Sequence, residues 1–168
     1  TKKRINYLKK NKISLYAAHL PLDAHYKYGN NIGLAKLLEL KNVRKFARYG
    51  NSKIGYKGEF EKSKTPKQIA NRLNNSLNTT SQIYPFGKKQ IKTIGIVSGG
   101  GAESLKEAAK ENLDCFLTGE IKHGTFHQIT EYNINLIAAG HYATEIVGVK
   151  LLQKLIKEKF KLNTVFIN

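Results

Sequence analysis

Residues 91–150 read IKTIGIVSGGGAESLKEAAKENLDCFLTGEIKHGTFHQITEYNINLIAAGHYATEIVGVK, and within them short apolar runs alternate with longer amphipathic ones. The alternation predicts strand Ile91–Val97, helix Glu103–Asn112, strand Cys115–Thr118, helix Gly124–Tyr132, strand Asn135–Ala139 and helix Ala143–Phe160. A last strand, Thr164–Ile167, is expected after them. Strands and helices in turn specify an α/β protein, a mixed layered sheet with helices packed on it. The strands are continuously apolar, so much of the sheet is expected to be covered on both faces.

Upstream the pattern is looser. Lys2–Lys12 reads as a helix, Ile13–Ala18 as a buried strand, and Asn30–Leu40 as a helix with Ile32, Leu34, Leu37, Leu38 and Leu40 inward. His19–Gly29 reads as the loop between them. Val43–Gly50 and Ile54–Phe60 read as short strands broken by Gly50, Gly55 and Gly58. Thr65-Pro66 opens a helix with Ile69, Leu73 and Leu77 on one face, since proline suits the first turn. Asn74–Lys89 reads as a flexible connection. The expected segments are 1–48, the remainder of a first part; 49–90, connecting strands and helix; and 91–168, a C-terminal α/β part.

Composition excludes several classes. The chain has 168 residues, is 40% hydrophobic and contains one cysteine, so it can bury a core but cannot form an internal disulfide. No apolar run approaches the ~20 residues of a membrane span, and no secretory signal follows the basic first residues, so a cytoplasmic protein is expected. The chain starts at Thr1 and lacks methionine, which suggests a truncated N-terminus. A net charge of +17 raises nucleic acid as a partner. Arginine occurs only at Arg4, Arg44, Arg48 and Arg72, however, and scattered lysines favour a solvated basic surface.

Groups that do chemistry on α/β sheets collect at the C-terminal ends of strands. Three stretches qualify: AAHLPLDAH at 17–25, TGEIKH at 118–123 and GHYATE at 140–145. His141 and Glu145 are four apart, a spacing by which one helix face offers two ligands to a metal. Taken singly, that pair can be solvated, Asp23 a turn residue, His19 a near-core histidine, and Glu120, His123 and His127 the polar start of a helix. Taken together, carboxylates and imidazoles from three loops suit a divalent ion such as Zn, Fe or Mn. Ser98-Gly99-Gly100-Gly101 could cradle an anion or form a tight turn; Cys115, between apolar neighbours, reads as core packing.

The motifs HLPLDAH followed by GNN, then SGGGA, TGEIKH and GHYATE, resemble in order those of the YbgI-type, Nif-three-like dinuclear metal centre family, also called GTP cyclohydrolase type-two homologues. The resemblance runs from Leu15 to the C-terminus. It implies that Asp23 and His141 are metal ligands, that Glu145 bridges two divalent ions, and that His19, Glu120 and His123 line the site. It also implies a fold of two intertwined subdomains and a homohexameric ring. Family members complete the site with a His-His-Pro motif; the five histidines here include no adjacent pair, so the site is expected to be incomplete in this chain. The activity implied is metal-dependent hydrolysis of a small anionic substrate, nucleotide-like or phosphorylated. A non-catalytic metal-handling protein and a nucleic-acid or regulatory scaffold stand as the alternatives.

Overall fold

In a computed structural model describing residues 1–167, the C-terminal half follows the expected rhythm. Strands β4 (Ile91–Val97), β5 (Cys115–Thr118) and β6 (Asn135–Ala138) run parallel at the centre of one sheet. Helix α5 (Leu105–Lys110), preceded by a 3-10 turn at Gly101–Ser104, links β4 to β5, and α6 (His123–Glu131) links β5 to β6. The long α7 (His141–Phe160) follows. Parallel neighbours require such crossovers, which is why helix-length segments separate the apolar runs.

Antiparallel strands flank this centre. The hairpin of β1 (Lys41–Tyr49) and β2 (Ser52–Lys64) joins at β4, and β3 (Gln82–Pro85) joins at β6, giving the order β1-β2-β4-β5-β6-β3. On one face α3 (Asn30–Leu37), α4 (Pro66–Leu77) and α7 cover a core that includes Leu34, Leu73, Ile94, Ile96 and Leu117. On the other, α5 and α6 cover Phe46, Leu105, Phe116, Ile129 and Leu136. Successive side chains of β5 thus enter opposite cores, Cys115 and Leu117 on one side and Phe116 on the other, which explains its unbroken apolar sequence.

Thr65 caps α4 reciprocally with Gln68, and Asn78, at φ 52°, ends it in the left-handed conformation. Three upstream and terminal expectations are corrected. Ile13–Ala18 is no strand: no described strand lies beside it to complete a ladder, and Leu15 and Tyr16 are 78% and 87% exposed. Thr164–Ile167 is likewise irregular and largely exposed. Asn74–Lys89 is not a flexible connection, because Gln82–Pro85 pairs with Asn135–Ala138. Within the His19–Gly29 loop a short helix, α2 (Leu20–Asp23), forms behind Pro21. Asn168, the end of the expected third segment, lies outside the described residues.

Candidate metal centre

Three loops converge where the parallel strands end. Register aligns Val97 with Thr118 and Thr118 with Ala138, so the residues after each strand emerge side by side. The backbone of Gly99 ties them together. Its N–H donates to Oγ1 of Thr144 at 2.9 Å, and its carbonyl accepts from the N–H groups of Gly119 and Glu120 and from Oγ1 of Thr118. Gly99 has φ +62°, and a Cβ there would collide with Oε1 of Glu145 and come within 3.0 Å of Nε2 of His141. Only glycine brings this turn against α7 without strain. Of the three glycines, Gly99 is the one required by close packing on the carboxylate; Gly101 is crowded instead by Val97.

His141 and Glu145 occupy the start of α7. Nε2 of His141 lies 3.3 Å from Oε1 of Glu145, and its Nδ1 lies 3.0 Å from Oε1 of Glu120. The Glu120 carboxylate raises the His141 pKa above the usual imidazole value; partial burial opposes that effect, and the negative charges of Glu145 and Glu120 reinforce it.

Asp23 arrives from a different direction. It ends α2, is buried, and accepts a 2.6 Å hydrogen bond on Oδ1 from Nδ2 of Asn30. Asn31 donates through Nδ2 to the carbonyls of Asp23 and Ile54, and its Oδ1 accepts the N–H of Ser98 at 2.7 Å. Oδ1 of Asn30 in turn accepts the N–H of Gly148 on α7, at 2.6 Å. The two amides thereby lock the Asp23 loop to the β4 turn and to α7. Ligand atoms of His19, Asp23 and Glu145 all lie within 4.8 Å of one another, with Nε2 of His19 3.8 Å from Oδ2 of Asp23. His19, Asp23, His141 and Glu145 line one cleft of about 270 Å³.

Of the residues singled out from sequence, Asp23, His141, Glu145, His19 and Glu120 come together. His123 is not brought to the cleft wall; it opens α6, and its ring packs edge-on against His127 at 6.2 Å. His25 serves its own loop, its Nδ1 accepting the N–H groups of Lys27 and Tyr28. Cys115 is buried in β5, where burial pushes its thiol pKa up, in keeping with a packing role. Sequence reading gave no role to Asn30, Asn31, Thr144 or Tyr49; the Gly-Asn-Asn triplet was the only signal for the first two.

The set offers carboxylate oxygens and imidazole nitrogens, which suits Zn, Mn, Fe and related divalent ions, and the buried Asp23 is oriented by a hydrogen bond, as ligating carboxylates are. The residues therefore fit a divalent metal. No helix among the described residues is long and apolar enough to cross a membrane.

Comparison with known proteins agrees with this fold. A family model described as Duf34/NIF3 (NGG1p interacting factor 3) matches residues 1–168. The "GTP cyclohydrolase 1 type 2 homolog" of Pyrococcus abyssi is 44% identical over 167 residues, which cover 99% of this chain and 66% of that protein. The chain thus spans just under two thirds of the length of such relatives. The solved structure of the protein ybgI, described as of unknown function, matches with a TM-score of 0.89 at 31% identity, over 99% of this chain and 66% of that one. A Thermus thermophilus protein matches with a TM-score of 0.89 at 35% identity, over 99% and 65%.

Proposed function

The chain belongs to the Duf34/NIF3 family, and from that membership we propose that Asp23, His141 and Glu145 hold divalent metal, up to two ions, for hydrolysis of a nucleotide-like or phosphorylated small molecule. One observation carries the reading: donors from two separate segments, His19 and Asp23 on one and His141 and Glu145 at the start of α7, meet in one cleft, and Gly99 has no side chain where a Cβ would strike Glu145. A bound divalent ion would supply an acidified water and polarise an oxygen of the substrate. Glu120, on Nδ1 of His141, turns Nε2 toward Glu145, the arrangement by which carboxylates orient metal-bound histidines. Asn30 engages Oδ1 of Asp23 and leaves Oδ2 toward His19, so this buried carboxylate keeps one oxygen for a ligand. His19, exposed at the edge of the cleft, adds a nitrogen donor.

The same reading carries a cytoplasmic homo-oligomer, a hexamer as the family resemblance implies. Exposed apolar side chains at Val149, Phe160, Leu162 and Val165 support burial of this end against another surface. Elemental analysis of the protein beside an Asp23→Asn, Glu145→Gln double variant tests the metal reading. We expect bound transition metal in the wild type and an affinity at least ~100-fold lower in the variant. Equal metal content in both overturns the ligand assignment. Metal without turnover of any phosphoester or nucleotide would favour the metal-handling alternative.

A further inference from the structure

Beside the metal cleft runs a second groove of about 770 Å³, lined by Arg48 and Lys53 from the β1–β2 hairpin and by Lys106 and Lys110 from α5. The two cavities share Tyr49, Glu103 and Ser104, so they lie side by side. Among the described residues the four cationic side chains make no hydrogen bond or ion pair. The acids around them are otherwise engaged: Glu103 pairs with Lys122 at 2.7 Å, Glu111 with Lys57 at 2.5 Å, and Glu107 accepts the backbone N–H of Arg48 at 2.9 Å. Two of the three acids are neutralised from outside the groove, which leaves it strongly positive. Tyr49, 58% exposed, stands where groove meets cleft.

The geometry points to this groove as the binding site of a single-stranded phosphodiester chain, its phosphates on Arg48, Lys53, Lys106 and Lys110 and a base on the Tyr49 ring. This goes beyond the small molecule proposed above by assigning the chain a polymeric ligand, and it rests on that reading only for hydrolysis of the strand, not for the binding. Cations that track a backbone, with an aromatic platform beside them, are the usual means of holding single strands. Lys106 and Lys110 stand one helical turn apart, ~6 Å along the axis, wider than the spacing of phosphates joined through one bridging oxygen. A duplex would keep its bases away from Tyr49.

Anisotropy of a labelled oligothymidine strand of roughly a dozen nucleotides, measured with chelator present so that metal plays no part, tests the site. We expect the Arg48→Gln, Lys53→Gln, Lys106→Gln, Lys110→Gln variant to bind at least ~30-fold more weakly, with a salt dependence flattened by about 0.7 for each phosphate left without its cation. Lys9→Gln, Lys10→Gln, Lys157→Gln, Lys159→Gln removes as many cations elsewhere and should change affinity by less than about threefold. Tyr49→Ala, a single exposed change, should weaken binding by about tenfold. Equal weakening by both quadruple variants overturns the proposal, as does displacement of the strand by inorganic triphosphate at matched phosphate concentration. Asp23→Asn should retain strand binding, so failure of the metal reading shows in metal content alone and failure of the groove in anisotropy alone.

Discussion

His141 and Glu145 reach the cleft from the start of α7, directly behind the sheet, whereas Asp23 reaches it from a single helical turn in a long loop, and the two halves of the site are held by different means. The sheet half is registered by backbone ladders, with Val97, Thr118 and Ala138 abreast and Gly99 bonded to the loops on either side. The loop half has no ladder: its position depends on Asn30 and Asn31, each bonded both to Asp23 and to a distant element. Backbone register tolerates most side chains, so the sheet half should fail only where the main chain itself needs a special residue. The loop half should fail when one amide is removed.

The sharpest way to break this contrast is Gly99→Ala. Its positive φ and the collision with Glu145 should together cost about 3 kcal/mol and abolish metal retention, read by chemical denaturation and metal analysis. A variant as stable as wild type would show that the turn does not depend on glycine. Next comes Asn31→Ala, which leaves the buried N–H of Ser98 unpaired and frees two carbonyls. We expect a loss of about 2 kcal/mol, with metal affinity down roughly tenfold although Asn31 is no ligand. Unchanged metal affinity would mean that the Asp23 loop is held by something other than these amides.

The smallest effect concerns the opposite end of the ladder. Burial alone would raise the pKa of Asp114, but the Lys88 ammonium and the N–H groups of Thr93 and Lys92 outweigh it and hold the carboxyl below the usual aspartate range. A folded-state pKa below the unfolded one gives stability that is present above the unfolded value, near 3.9, and lost as pH falls through the folded one. Asp114→Asn should therefore cost about 1 kcal/mol near neutrality, and the gap from wild type should close below about pH 4, measured by thermal melts across pH. A gap that persists there would remove Asp114 from the sheet's acid response.

The same contrast explains what the sequence disclosed. β4, β5 and β6 are legible because each is buried on both faces and their apolar runs carry that fact directly. Thr65-Pro66 announced α4 because capping is local chemistry. Ile13–Ala18 misled because an apolar run does not show whether a neighbouring strand exists. β3 was hidden because Gln82–Pro85 is only partly buried at the sheet edge and pairs with β6, distant in the chain. His141 and Glu145 were readable from spacing on one helix, and Asp23 only from its company of motifs. Asn30 and Asn31 looked like ordinary helix-start residues, since their partners Ser98 and Gly148 lie far away in sequence.

Helix α7 has a mechanical consequence. Its contact with Asn30 at Gly148 is so tight that an added Cβ would meet Oδ1 at 2.8 Å, which makes that point a fulcrum. The metal-facing arm, from His141 to Gly148, is ~10 Å long and the outer arm, from Gly148 to Phe160, ~18 Å. A pivot there moves Phe160 nearly twice as far as it moves the ligands, and in the opposite direction. Any tilt of the short arm about Gly148 would be magnified at Phe160, and a load on Phe160 would act on the ligands with the corresponding leverage.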